Sequence, residues 1–195
     1  MGHMADEEIP SVEVTPRVLE AAIRVIGAHG WDGLNLERVA DEAGLSRVTL
    51  WRQGVTRDTL AQALLGRLAT DYRDSMWTVL TAAGTGRERL ELALRTLCDV
   101  ADRNLSLLLA SDSSFHQAWQ QSRPKVGFLS PFIRILEDGV TDGTLREIDD
   151  PVVVADTLFN AVCWPYVHLR GRHEWPAEDA CNRVVELMLH GIAVG

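Results

Sequence analysis

The stretch LERVADEAGLSRVTLWRQGVTRDTL, residues 36–60, predicts two short helices joined by a tight turn. Ala40 is small, as required where two helices cross closely, and Gly44 suits the left-handed conformation that ends a helix in a turn. Ser46 is a favoured N-cap for a second helix, which we expect over about 46–53. A helix pair with a glycine-containing turn is the unit that places its second helix in the DNA major groove. The sequence therefore predicts a helix-turn-helix.

The composition is that of a globular protein with room for one good-sized core or two small domains: 195 residues, 46% hydrophobic and 24% charged. The three cysteines, Cys98, Cys163 and Cys181, are odd in number and far apart in sequence, which fits neither a disulfide framework nor a metal site. We therefore expect no metal and no cofactor. Every long apolar run contains Arg, Asp or His, and the first residues lack the layout of a signal peptide, so we expect a cytoplasmic protein without membrane contact.

The charge distribution leaves room for a DNA partner although the formal net charge is −9. Residues 1–13 contain four acids, and residues 14–60 contain six arginines and six acids, so the remaining −5 lies in residues 61–195. Salt screens charges beyond about 8–10 Å, so a local basic face can still bind DNA. A solvated surface of mixed charge is the alternative.

The helical periodicity predicts an all-α chain with no convincing strand. We expect a helix over 124–140 that Pro131 kinks or breaks early, and one over 151–169 that Pro165 bends or interrupts. Two shorter helices are predicted before these, one from Pro16 to about Gly30 and one from about Leu36 to 43. A long helix is predicted over 57–82, and another starts at Gly86. One or two short helices are predicted within 104–122, and the last helix starts at Trp175–Pro176. We predict a disordered tail with a tag remnant at 1–13, a three-helix DNA-binding head at 14–57, and a helical effector-binding and dimerisation domain at 58–195.

This organisation resembles the TetR family of bacterial transcriptional regulators. The resemblance is strongest over residues 15–64, which contain GLNLERVADEAGLSRVTLWR. A second similar region is the turn at residues 142–146 together with Asp150–Pro151 and the stretch ADTLFNAVCWPYVHLRGR. The resemblance implies an all-α homodimer of about nine helices with a DNA-binding head, a C-terminal effector-binding domain and no enzymatic activity.

One departure from the family pattern concerns the end of the second helix of the motif. The family usually has an aromatic residue, two further residues, a second aromatic residue and then a lysine that grips phosphate. Here Gly54 stands in the position of the second aromatic residue, and Arg57 stands in that of the lysine. Arginine can hold phosphate as well as lysine can. The end of the recognition helix at Gly54 is therefore open.

The second helix of the motif carries the candidate base-reading residues. Arg47, Val48, Trp51 and Arg52 share one helical face, on which arginine can bond guanine bidentately and valine can meet a thymine methyl. By the resemblance, Thr49 approaches the bases and Trp51 touches the DNA backbone. The candidate phosphate contacts are Thr15, Asn35, Gln53, Thr56 and Arg57. In the alternative, Trp51 packs between the motif and the long helix that follows, and Arg47 and Arg52 are simply solvated.

An aromatic-rich set in the C-terminal part is the candidate ligand-binding site. Its members are Trp77, Phe115, His116, Trp119, Phe128, Phe132, Phe159, Cys163, Trp164 and His168. Aromatic residues at helical spacing are more often core than ligand contacts, so each one has that alternative. The last three predicted helices have no Arg or Lys within their apolar runs, which favours a neutral or weakly polar, apolar or aromatic effector.

The last two predicted helices are too apolar for a pair with one solvent side, which predicts a homodimer interface. Its candidate residues are Leu158, Val162, Leu169, Val184, Leu187, Met188 and Ile192. We expect a regulator, more specifically a repressor, that binds a palindromic double-stranded DNA operator with half-sites about 34 Å apart. A small-molecule effector would change the separation of the recognition helices, with the helix from Arg57 as the lever. The alternatives are an all-helical small-molecule binding protein, or a protein interaction module, without DNA binding. No catalytic constellation supports an enzyme.

Overall fold

The computed structural model describes residues 14–110 and 127–192, with side chains as far as Leu189. In this part of the chain the regular elements are helices joined by turns and short loops, with no strand, which confirms the predicted fold class. The helices are α1 (Pro16–His29), α2 (Leu36–Ala43), α3 (Arg47–Arg52), α4 (Arg57–Leu80), α5 (Gly86–Arg103), α6 (Leu105–Leu109), α7 (Ser130–Thr141), α8 (Pro151–Arg172) and α9 (Ala177–Ile192). The predicted tail at 1–13 lies outside the described residues.

The chain divides into two units, and the first, Met1–Leu64, contains α1 to α3 and the first two turns of α4. Val18, Ala22 and Ile26 recur at helical spacing on α1 and are buried, as an amphipathic helix requires. The division falls between Leu64 and Leu65, inside α4, whereas the sequence prediction placed it after residue 57. Because α4 is continuous there, the head ends within a helix rather than at a loop.

The second unit, Leu65–Gly195, is organised around α5, which packs against α7, α8 and α9. A capping box begins α5: the Thr85 side chain accepts a bond from the Glu88 N–H, and the Glu88 carboxylate accepts one from the Thr85 N–H at 2.8 Å. Next to it, α5 and α7 meet glycine to glycine. A Cβ placed on Gly86 would lie 2.2 Å from the Gly139 Cα, so this crossing has no room for a side chain.

The structure places Pro131 in the first turn of its helix and shows no interruption at Pro165. The α7 helix starts at Ser130, so Pro131 occupies its first turn, where a missing N–H costs nothing and no kink follows. The α8 helix continues through Pro165 to Arg172, because residues on either side are buried and hold it in place. The other helix ends that the structure describes agree with the prediction or differ from it by up to three residues.

One helix, α8, is long and apolar enough to cross a membrane by length and composition alone. Asp156 interrupts this run, as the sequence indicates, but the helix still meets the criterion because an 18-residue window may hold up to two charged residues. About a third of that window is buried inside the chain. Core helices of globular proteins meet the same criterion, so the finding carries little weight for a membrane role.

Candidate functional site

The turn between α2 and α3 is built as the sequence predicts. Asn35 caps α2 by accepting a bond of 3.0 Å from the Arg38 N–H. Gly44 has a φ of 63° and ends α2 in the left-handed conformation. Ser46 caps α3 by accepting a bond of 3.0 Å from the Thr49 N–H, and its hydroxyl also shares a bond of 2.8 Å with the Thr49 hydroxyl. These local bonds fix where α3 starts and how it leaves the turn.

The α3 helix is attached to the head by one fully buried side chain, Leu50. Arg47 and Arg52 are exposed, Val48 is 55% exposed and Trp51 is 72% exposed. A valine and a tryptophan that stay exposed on a six-residue helix leave apolar surface in water, which is unfavourable. The alternative that Trp51 packs between the motif and α4 is therefore wrong. The structure brings together a protruding face of two guanidinium groups and two apolar side chains.

The end of α3, which the sequence leaves open, lies at Arg52, with Gln53 as the C-cap. Gly54 follows with a φ of 74°, a conformation that an aromatic residue would adopt only with strain. The next residue, Val55, is buried and its N–H bonds the Leu50 carbonyl at 3.0 Å. Gly54 therefore allows the chain to turn directly from α3 into the core, and the helix needs no aromatic residue at that position.

The predicted phosphate contacts differ in how they are engaged within the head. Arg57 donates a bond of 3.1 Å to the Trp31 carbonyl and lies 3.7 Å from the Asp32 carboxylate, so its guanidinium is already partly occupied. The Thr56 hydroxyl accepts a bond from the Thr59 N–H at 3.1 Å at the start of α4. Asn35 serves the α2 cap. Thr15 is exposed and makes no side-chain cap bond to α1, and Gln53 is exposed beside α3.

An aromatic cluster forms within the second unit. Tyr72 of α4 lies 4.9 Å from Phe128 and 6.0 Å from Phe159, ring centre to ring centre, and Phe159 lies 6.4 Å from Phe132. The Tyr72 hydroxyl donates a bond of 2.5 Å to the Phe128 carbonyl. Burial raises the pKa of this hydroxyl and that of the nearby Cys163 thiol. We call Tyr72, Phe128, Phe132, Phe159 and Cys163 the aromatic cluster.

Four of the ten predicted ligand residues therefore meet, together with one that the prediction omitted. Tyr72 belongs to a buried stripe of α4 at four-residue spacing. The hydroxyl at the end of its ring is the sequence feature that could have identified it as part of the site. Trp77 is 67% exposed on α4 and takes no part. His168 is exposed, its Nε2 lying 3.0 Å from the His173 Nε2, and Trp164 is half-buried. Phe115, His116 and Trp119 lie outside the described residues.

The predicted dimer residues separate into two groups. Leu158, Val162 and Val184 are buried within the single chain, so they pack its core and cannot provide surface for a partner. Leu187 is 67% exposed, while Leu169 and Met188 are half-buried. The side chain of Ile192 is not described. Val152 and Val153 on the first turn of α8 are further exposed apolar residues that the prediction missed, because exposure within a wholly apolar run has no periodic signal.

Comparisons with known proteins agree with this architecture. Residues 18–64 match the family model described as bacterial regulatory proteins, tetR family. The chain is 19% identical over 186 residues to a fatty acid metabolism regulator protein of Bacillus subtilis, covering 90% of this chain and 94% of that protein. Its fold is similar to that of FadR from Bacillus subtilis in complex with stearoyl-CoA (TM-score 0.74, 17% identity, 90% of this chain and 97% of that one). It also resembles the fatty acid degradation regulator FadR from Bacillus halodurans (TM-score 0.77, 15% identity, 91% and 96%).

Proposed function

We propose that this chain, whose residues 18–64 match the model of bacterial regulatory proteins, tetR family, is a transcriptional repressor that binds a palindromic operator as a homodimer. An apolar effector in the second unit changes that binding. The observation that carries the proposal is the protruding face of α3. Its exposed arginines supply charge and hydrogen-bond donors for guanine and phosphate, and Val48 and Trp51 supply apolar contacts. The role is binding rather than catalysis, and we place the protein in the cytoplasm.

The proposed homodimer uses the exposed apolar residues of the last two helices. Leu187 on α9 and the Val152–Val153 pair on α8 expose surface that water does not favour. A two-fold interface between these helices would bury them against their counterparts. A dimer of this kind would present two α3 helices to half-sites about one DNA turn apart, and the operator would then be palindromic.

The proposed effector site is the aromatic cluster. Two relatives are named as regulators of fatty acid metabolism or degradation, and one was solved with stearoyl-CoA. An acyl chain is compatible with the half-buried Phe128 and Phe159, which offer apolar surface without charge beside the buried Phe132. Long-chain acyl thioesters are therefore the first class to test. Free fatty acids and small aromatic compounds are the comparison classes.

Coupling between the two functions would run along α4. This helix contributes Tyr72 to the aromatic cluster, and its first turns, with the buried Leu60 and Leu64, belong to the head. A ligand that moves the Tyr72 ring or breaks its bond to the Phe128 carbonyl therefore acts on a helix that the head shares. To change operator affinity, the ligand must bind one conformation of the chain more tightly than the other.

Fluorescence anisotropy with a labelled duplex from the upstream region of the protein's own gene tests DNA binding. We expect wild-type affinity to fall steeply between about 50 and 200 mM salt, as phosphate contacts require. Arg47→Ala and Arg52→Ala should each weaken specific binding by about tenfold, since a good bidentate base contact is worth ~1–3 kcal/mol. Arg146→Ala, an exposed arginine of the second unit, is the matched control. Binding that is absent at every salt concentration would favour an interaction module.

Calorimetric titration with stearoyl-CoA, stearate and coenzyme A alone tests the effector. Binding of stearoyl-CoA that Phe159→Ala weakens, with no binding of coenzyme A, would support an acyl site at the cluster. The Trp77→Ala variant should bind like wild type, because Trp77 is exposed and takes no part in the cluster. Equal binding by the Phe159→Ala variant would move the effector site elsewhere.

A further inference from the structure

Two cysteines that are far apart in sequence have neighbouring thiols in the fold. Cys98 lies on α5 and Cys181 on α9, and these helices pack against each other within the second unit. Arg95, one turn before Cys98, donates a bond of 2.7 Å to the side chain of Asn182, the residue after Cys181, so both cysteines lie at this contact between the two helices. The sequence predicted no relation between the cysteines, because their spacing contains no information about which helices pack together.

The two thiols have different surroundings. Cys98 is fully buried, whereas Cys181 is only partly buried and so remains reachable from solvent. The Arg95 guanidinium, which bonds the side chain of the residue after Cys181, is the cation next to this thiol. Arg95 is held in place by Glu91 at 2.9 Å and by the Asn182 side chain at 2.7 Å. The thiol next to solvent therefore faces a fixed cation and a buried thiol that can donate to it.

This arrangement favours the thiolate at Cys181. The hydrogen bond from Cys98 and the Arg95 guanidinium lower the pKa of Cys181 to about 7, against the effects of burial and of the Asp99 carboxylate. The same hydrogen bond, together with burial, raises the pKa of Cys98. Near neutral pH, Cys181 thus has a substantial thiolate fraction, whereas Cys98 stays protonated.

We propose that Cys98 and Cys181 form an oxidation site, in which Cys181 reacts with hydroperoxides and Cys98 then closes an intrachain disulfide between α5 and α9. In the first step the Cys181 thiolate attacks the peroxide O–O bond, which breaks to leave a sulfenic acid and hydroxide. In the second step the Cys98 sulfur attacks the Cys181 sulfur. The Cys98 proton and the sulfenic hydroxyl leave together as water. With hydrogen peroxide, one thiolate and one thiol lose two electrons. The peroxide becomes one water and one hydroxide, and the hydroxide takes a proton from solvent to become the second water.

Cys163 provides an internal comparison. It is buried in the aromatic cluster, and burial raises its pKa to about 12. No cation is among the causes of that shift, so Cys163 stays protonated at neutral pH. We therefore expect it to react at least about a hundredfold more slowly than Cys181 with a soluble alkylating reagent.

The first experiment measures alkylation of the native full-length protein by iodoacetamide across pH, with mass spectrometry resolving each cysteine. We expect modification of Cys181 to follow a titration centred near pH 7. In the Arg95→Gln variant the midpoint should move up by about one pH unit, because the thiolate loses its cation. A merely structural Cys181 would show a midpoint near its ordinary value of about 8.5 in both proteins, and this result would overturn the proposal.

The second experiment treats the protein with hydrogen peroxide and maps its peptides without reduction. We expect a Cys98–Cys181 disulfide in wild type and in Cys163→Ala, and a trapped sulfenic acid at Cys181 in Cys98→Ala. A disulfide between two chains, one that uses Cys163, or no disulfide would each refute the proposal. The site does not depend on DNA binding, so its outcome and that of the operator assay are independent.

Discussion

Two tryptophans of the head allow folding and DNA recognition to be separated by one type of substitution. Trp31 is 5% exposed and Trp51 is 72% exposed. A fully buried tryptophan removes up to ~250 Å² from water, and replacing it by alanine in a core costs ~3–5 kcal/mol. The buried part of Trp51 corresponds to roughly 70 Å², or less than ~2 kcal/mol. The structure thus predicts a large loss of stability for Trp31→Ala and a small one for Trp51→Ala.

The Trp51→Ala substitution should affect operator binding rather than folding. The Trp51→Ala variant should fold normally and lose about tenfold in operator affinity, ~1.4 kcal/mol, because the apolar surface and the indole N–H are both removed. The Trp51→Phe variant keeps a ring without the N–H, so its operator affinity should lie between those of wild type and Trp51→Ala. Since no charge is removed, the dependence of affinity on salt should not change.

Urea denaturation followed by far-ultraviolet circular dichroism measures the folding term, and fluorescence anisotropy with the labelled operator measures the binding term. The Trp31→Ala variant, refolded and measured at low temperature, is the control that shows how loss of a buried side chain affects the head. The reasoning fails if Trp51→Ala destabilises the head as much as Trp31→Ala does. It also fails if Trp51→Ala binds the operator with wild-type affinity.

Three further predictions concern helix packing, pH and assembly. Gly86→Ala should destabilise the chain by ~1–3 kcal/mol in thermal melts, because its Cβ would meet Gly139. The control Gly66→Ala, in open space on α4, should stabilise the chain by ~0.5–1 kcal/mol. Equal effects of the two substitutions would contradict the close crossing. Bonds from the Thr144 hydroxyl and the Gly86 N–H lower the pKa of Asp142, so its contribution is present above pH ~4 and is lost as pH falls through the lowered pKa. Asp142→Asn should therefore lower the melting temperature at pH 7 but not at pH 2, and a difference that persists in acid would refute this. Leu187→Glu should convert the proposed dimer to monomer in sedimentation experiments, with far-ultraviolet dichroism unchanged. A dimer that survives the change would place the interface elsewhere.

Local chemistry explains why the head was predictable. The caps Asn35 and Ser46 and the glycine at position 44 act within four residues of where they stand, so their effect can be read from the sequence. The same is true of the capping box that begins α5. Each of these signals needs only the neighbouring backbone, and the structure has all of them where they were expected.

Burial within apolar helices could not be predicted in the same way. The α8 helix is apolar on most sides, so its sequence does not show that Leu158 and Val162 face the core while Val152 and Val153 face out. Tertiary packing decides this, and packing depends on residues far away in sequence. The same limit hid the contact of Tyr72 with Phe128 and the meeting of Cys98 with Cys181. Four members of the aromatic cluster were nevertheless named from their residue types.

The proline inside α8 has a mechanical consequence. Pro165 has no N–H, so the carbonyl of Ala161 loses the donor that would otherwise bond it one turn later. A helix with one missing internal bond resists bending less at that point than along the rest of its length. Phe159 lies before this point and His168 after it. If a bound molecule displaces α8, the helix should bend at Pro165 as two rigid segments. Amide hydrogen exchange within α8 should then be fastest around residue 165.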